Sequence, residues 1–233
     1  MKRIVALLLL PLLAFTFVSC KPEEEDKNNK LVKTIEIEVI KNEIVVQIYS
    51  HTAHYDNKNR LIKIETLYWE DRPPYYYEST ANFKYYASTI FLNDSFYYQL
   101  DDNGYLIRDM YDGTTFIYEN GYLKEKRYKN GGLSKYTWMN GNIVQVNNSF
   151  YEYSNKENLL NINIPCEYFS LFEPILKFKG LESKNYLVKE TYNTTQVITY
   201  DYTLDKEGYP TQIIVNDKPN PEQEELKITL TYY

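Results

Sequence analysis

The chain has 233 residues, a formal net charge of −6, and 26 tyrosines against only 8 glycines and 2 histidines. An acidic balance argues against nucleic acid as a partner, because phosphates need clustered Lys and Arg. The length fits one domain, and an excess of Tyr suits a sheet with one wet face, since the ring packs while the hydroxyl stays hydrated.

Residues 1–19 read as a secretory signal. Lys2 and Arg3 are followed by an apolar run from Ile4 to Val18, broken only by Pro11 and Thr16, and Ser19 precedes Cys20. A helix of this length spans about 22 Å, short of a bilayer core of about 30 Å, so a permanent membrane span is not expected. The stretch ending at Cys20 resembles the lipobox of bacterial lipoproteins, with Phe17 where Leu is usual. The resemblance implies that the Cys20 thiol is acylated and becomes the mature N-terminus. Only Cys166 then remains, which excludes an intrachain disulfide and reads as a small buried hydrophobe. Residues 20–30 are charged, carry Pro22 and lack apolar groups after the cysteine, so they read as a flexible acidic tether. A basic residue and an acidic cluster directly after Cys20 also resemble the export signal of Bacteroidetes surface lipoproteins.

From residue 31 onward one short pattern recurs: an aromatic or apolar residue, a polar turn, then a new alternating run. Copies include Tyr55-Asp56-Asn57-Lys58-Asn59-Arg60-Leu61, Leu100-Asp101-Asp102-Asn103-Gly104-Tyr105-Leu106 and Leu204-Asp205-Lys206-Glu207-Gly208-Tyr209. Asn-Gly stands at 103–104, 120–121, 130–131 and 140–141. Both residues tolerate positive φ, as a type I′ turn requires, so each pair signals a hairpin. Strands are expected at 33–41, 44–55, 60–70, 82–92, 95–100, 105–111, 114–119, 142–147, 149–154, 186–193, 196–205, 210–216 and 225–233. Alternation through 122–128 puts Leu123, Glu125 and Arg127 on one face, with Tyr122, Lys124, Lys126 and Tyr128 on the other. The fold class is therefore all-β: an antiparallel meander forming a strongly curved sheet or a barrel over residues 31–233. The first and last strands alternate equally well, and pairing them would close a barrel and remove its edges.

Residues 165–176 depart from period-two alternation. Phe169, Phe172 and Leu176 fall at helical spacing between prolines, which predicts a short helical or loop plug or lid.

Together the lipobox, the acidic tether, the Tyr-rich hairpins, the plug, the Gly180–Leu187 run and the Tyr202–Thr211 run resemble the Bacteroidetes lipoproteins of unknown function described as having a porin-like fold. The hairpin copies resemble YD repeats of Rhs-type shells more weakly. The first resemblance implies an antiparallel, barrel-like sheet and no catalytic residue. A barrel that spans lipid would need an apolar outward row, and Lys124, Glu125, Lys126 and Arg127 place charge on both faces.

No catalytic or cofactor motif is found. His51 and His54 are three apart on a strand and face opposite sides, so they would not share a metal. Asp101-Asp102-Asn103-Gly104 lacks the remaining ligands of a calcium loop. No catalytic residue, metal or cofactor is assigned, and an enzyme is not expected. The candidate binding residues are Trp69, Tyr75, Tyr76 and Tyr77, grouped around a loop stiffened by Pro73 and Pro74, with the doublets Tyr85-Tyr86 and Tyr97-Tyr98 nearby in sequence. Aromatic faces beside carboxylates suit sugars or a protein surface. The expected protein is a monomer, held to the outer membrane or cell surface by lipid on Cys20. It is expected to act as a non-catalytic binding module for a glycan or protein, the alternative being a structural component of an envelope or uptake complex.

Overall fold

The computed structural model describes residues 30–71, 74–160, 183–218 and 224–233. Its strands are β1 (Val32–Lys41), β2 (Ile44–Tyr55), β3 (Leu61–Glu70), β4 (Tyr75–Tyr86), β5 (Thr89–Leu92), β6 (Phe96–Leu100), β7 (Leu106–Asp109) and β8 (Thr115–Glu119). They continue as β9 (Tyr122–Arg127), β10 (Leu133–Met139), β11 (Asn142–Val146), β12 (Ser149–Glu157), β13 (Asn185–Tyr192), β14 (Gln196–Leu204), β15 (Pro210–Lys218) and β16 (Glu224–Tyr232). Each pairs antiparallel with its chain neighbours, and β1 pairs with β16, so the sixteen strands form a closed barrel. A meander with β1 and β16 joined is what the alternating ends of the chain predict. The described residues contain no helix. The helical plug expected at 165–176 is thus not borne out among them, and that segment itself lies outside the described residues, as do the signal and nearly all of the tether.

Strict up-and-down order sorts the connections into two ends. One end, the floor, carries Lys30, Tyr233 and the turns at 56–60, 101–105, 120–121, 140–141 and 205–209. The other, the rim, carries the turns at 42–43, 93–95, 110–114, 128–132 and 193–195 and the connection from β3 to β4. The wall is uneven. Strands β1 to β4 have 10–12 residues each, whereas β5 to β11 have 4–7.

Alternation decides inside from outside. Ile35, Ile37 and Val39 of β1, Ala53 of β2, Ile64 of β3, Ala81 and Phe83 of β4 and Ile213 and Val215 of β15 are all buried on the inward rows. Ile64, Ile90 and Ile213 are 0% exposed. The outward rows carry Glu36, Glu38, Lys63, Glu65, Glu78, Lys84 and Lys227. Lys227 pairs with Glu38 across the β1–β16 seam, and Lys63 lies 2.6 Å from Glu65. Through β1 to β4 and β15 to β16 the apolar side faces in and most charges face out, the reverse of a wall that meets lipid.

The repeated tyrosine has a structural use. At the floor, the aromatic ending a descending strand donates to the carbonyl that opens the neighbouring ascending strand. Tyr55 donates to Val32 O (2.9 Å), Tyr85 to Leu61 O (2.6 Å), Tyr118 to Leu106 O (2.9 Å) and Tyr232 to Pro210 O (2.5 Å). In the β9–β10 hairpin Trp138 takes the same role, its indole Nε1 donating to Leu123 O at 2.8 Å. Burial holds the Tyr55 phenol up at about 12 and raises Tyr85 as well, so both remain donors at any working pH. Replacing Tyr85 by Phe should cost about 1–2 kcal/mol in urea-monitored unfolding, because it strands a half-buried carbonyl. A wild-type midpoint for Tyr85→Phe would show that this contact adds nothing.

The turns divide by chemistry. Asn120-Gly121 and Asn140-Gly141 have positive φ at both residues, 53° and 82°, and 52° and 80°, as type I′ requires. At 103–104 and 130–131 only the glycine is positive, at 82° and 87°, so these two are longer turns rather than type I′. The Asp101 carboxylate there accepts from the backbone N–H of Asn103 and Tyr105. Asp56 and Asp205 do the same for Lys58 and Arg60, and for Glu207 and Tyr209. Carboxylates bonded to backbone N–H groups in this way make Asx turns, not calcium loops.

Two readings of local alternation are corrected. A bulge pairs Tyr118 with Leu123 and Ile117 with Glu125, leaving Lys124 as the extra residue. Leu123 and Lys126 therefore share the inward side, and Glu125 and Arg127 face out. Lys126 lies over the rings of Phe116 (5.8 Å) and Tyr128 (5.0 Å), its stem shielding the thinner wall. The strand expected at 82–92 is two strands, β4 and β5, because positive φ at Ala87 (42°) turns the chain at 87–88.

Candidate functional site

Trp69 and Tyr75 to Tyr77 do not sit in a loop. Trp69 is in β3 and the three tyrosines open β4, with only 71–74 between them at the rim. Pro74 falls in this connection, directly before the first residue of β4. Strand alternation then divides the group. Trp69 pairs with Tyr76 and Ile48 on the outer wall. Tyr77 pairs with Tyr68, and Tyr75 with Glu70, on the row that continues through Ser79 and Thr66 to the buried Ala81 and Ile64.

The inward group is the more elaborate. The same row on β2 brings Tyr49 beside Tyr68 and Gln47 beside Glu70. The Tyr49 and Tyr68 rings lie 4.7 Å apart, and Tyr68 and Tyr75 lie 6.1 Å apart. The Tyr68 hydroxyl donates to Glu70 Oε2 at 2.7 Å, and the Gln47 amide approaches Glu70 Oε1 at 3.4 Å. Tyr75 and Tyr77 remain 53% and 49% exposed, so their ring faces are open at the rim. Desolvation and the Glu70 carboxylate raise the Tyr68 phenol, and desolvation raises Tyr49. Both stay protonated donors beside a carboxylate acceptor. Donors, acceptors and open aromatic faces thus converge at one place, which suits a ligand rich in hydroxyls.

Sequence reasoning missed Gln47, Tyr49, Tyr68 and Glu70. Period two alone puts Tyr68 and Glu70 opposite Trp69. Joining them to Gln47 and Tyr49 needs the β2–β3 register, which no local motif encodes.

Elsewhere on the outer wall, Tyr76 (58% exposed) donates to Glu78. Of the doublets, Tyr85 is tied to the floor carbonyl of Leu61, Tyr86 is outward and packs edge-on against Phe91 at 5.2 Å, and Tyr98 packs into the interior. The Tyr97 side chain lies outside the described residues. His51 and His54 face opposite sides as expected. His51 is 3% exposed with Nδ1 2.9 Å from Thr66 Oγ1, and His54 lies 2.7 Å from Glu65 on the outer wall. Among the described residues no group of three or more His, Cys, Asp or Glu is placed to hold a metal. Cys20 lies outside the described residues. Lys30, where the tether meets the barrel, reaches Asp205 (2.8 Å) and Glu207 (3.0 Å) and lies over the Tyr209 ring, all at the floor.

No family model matches the sequence, and no curated protein matches it. Two solved structures are similar in fold. A porin-like protein from Bacteroides uniformis superposes with a TM-score of 0.66 at 16% identity, over 87% of this chain and 98% of that one. A porin-like protein from Bacteroides vulgatus gives a TM-score of 0.36 at 15% identity, over 88% and 99% of the two chains, too loose to compare strand by strand. At these identities the first likeness carries the fold alone.

Proposed function

We propose that this chain is a lipid-anchored outer-membrane protein whose barrel is a non-catalytic binding module, with its ligand held at the rim by Tyr75, Tyr77 and the groups beside them on β2 and β3. The observation that carries the reading is placement. The aromatic–carboxylate group opens at the rim, while the tether joins at the opposite end through Lys30. Acylation of Cys20 would put about 35 Å of extended chain at most between lipid and floor. The rim would then face away from the bilayer, toward whatever the protein meets. The polar outer wall fits a barrel standing in water on a lipid tether rather than one immersed in lipid. The neighbour from Bacteroides uniformis, a porin-like protein, matches in shape, and the apolar interior argues for holding a ligand rather than passing one.

A second reading is favoured by one feature. Ile48, Trp69 and Tyr76 stand in line across three strands of the outer wall. Such a strip suits docking on another envelope protein, as a structural component would require.

The test joins anchor and site. Wild-type protein should fractionate with membranes and Cys20→Ala should not. A photoreactive phenylalanine analogue in place of Tyr77 should capture a ligand on intact cells, while the same analogue in place of Tyr86, exposed at the floor end, should not. Equal capture at both positions, or at neither, ends the rim assignment. Membrane retention of Cys20→Ala ends the anchoring half. Capture from position 76 alone would favour the second reading.

A further inference from the structure

We infer that the rim site takes a neutral oligosaccharide, at least two sugar units long, stacked on Tyr75 and Tyr77 and hydrogen-bonded by Glu70 and Gln47. This rests on the binding reading above and names its ligand.

The first argument is spacing. Tyr75 and Tyr77 share one row of β4. At about 3.3 Å per residue their rings are about 7 Å apart along the strand, the scale of one sugar ring to the next. Both rings are about half exposed, in contrast to Tyr49 and Tyr68, which lie against each other in the cross-strand row beside Tyr77. Two open faces in line select a chain of flat apolar faces rather than a single small molecule.

The second argument is hydrogen-bonding capacity. Among the described residues, each Glu70 oxygen has one hydrogen-bond partner, Tyr68 on one and Gln47 on the other. A carboxylate can accept about four hydrogen bonds, so ligand hydroxyls find acceptors left over. The second amide N–H of Gln47 adds a donor beside that carboxylate. Such bonds to ionised groups are the strong kind, and they fix orientation while the rings supply contact area.

The third argument is charge. Among the described side chains, register places Glu70, Asp109, Glu190 and Asp217 on inward rows toward the rim, against Lys41 and Lys126. Lys126 is already held over Phe116 and Tyr128 on the short side of the wall. An acidic sugar brought to Tyr75 and Tyr77 would meet Glu70 directly and be repelled. A flat protein face would not reach an inward row behind the rim as a narrow saccharide chain does.

The experiment uses the full-length lipoprotein in detergent and isothermal titration with cellohexaose, maltohexaose, xylohexaose, mannohexaose and hexagalacturonate. At least one neutral hexaose should bind, and hexagalacturonate should not. Tyr75→Ala and Tyr77→Ala should each weaken binding about tenfold, and Glu70→Gln by a similar factor, whereas Tyr76→Ala on the outer wall should leave it unchanged. Binding of hexagalacturonate as tight as that of the neutral chains overturns the inference, as does failure of all four neutral hexaoses. If the sugars fail while the photoreactive residue at 77 captures a polypeptide, the ligand class falls and the binding reading stands. If both fail, both fall.

Discussion

Truncating Ile64 to alanine should cost about 4 kcal/mol, the upper part of the range for deleting a buried Ile side chain. Ile64 is 0% exposed at the centre of the inward row. Its direct cross-strand neighbours are Ala53 on β2 and Ala81 on β4. The isoleucine thus fills the space between two small residues. Removing it leaves three alanines abreast across β2, β3 and β4, and a cavity that small neighbours do not fill is the costly kind. Ile64→Val should cost only about 1 kcal/mol. Leu67→Ala, three residues along on the outer wall and 43% exposed, should cost under about 0.5 kcal/mol. Urea unfolding of the three variants checks the order. A Leu67→Ala loss as large as that of Ile64→Ala would mean that the inside and outside of β3 are exchanged.

Acid should destabilise the barrel through His51. The imidazole is buried among inward residues, and desolvation lowers its pKa from 6.5 to about 4. The unfolded chain therefore binds a proton as pH falls through 6.5 while the folded protein does not until about 4. Stability contributed by the neutral ring is complete above pH 6.5 and drains away between 6.5 and 4. A shift of this size corresponds to about 3 kcal/mol. His51→Gln removes the titration and keeps a polar group near Thr66 Oγ1. Wild type should thus lose about 3 kcal/mol more than His51→Gln between pH 7 and pH 4. Parallel profiles for wild type and His51→Gln would show that the buried ring is not the source of acid sensitivity.

Both predictions depend on which side of a strand a residue faces, and there local sequence succeeded and failed for identifiable reasons. Period two read β1, β2 and β16 well, because unbroken runs such as Ile35-Glu36-Ile37-Glu38-Val39 carry the alternation themselves. It failed at residues 122–128, where one bulge moved Lys126 inward and Glu125 outward. It also merged β4 with β5, since nothing in Tyr86-Ala87-Ser88 marks a turn as Asn-Gly does. Candidate residues suffered most from a loop reading based on Pro73 and Pro74. Trp69 and Tyr76 were grouped with Tyr75 and Tyr77 by proximity along the chain, yet the wall of the barrel stands between them.

By itself the sequence determined that the chain is all-β, where most hairpins turn, and that its two ends can pair, because turn chemistry and alternation act over a few residues. Only tertiary structure decided that sixteen strands close around an apolar interior, that a floor aromatic meets the first carbonyl of the preceding strand, and that Gln47, Tyr49, Tyr68 and Glu70 line up across the strands beside Tyr75 and Tyr77. Those relations depend on cross-strand register and on bulges that shift it by one residue. Register is set by the packing of the whole wall, not by any segment taken alone.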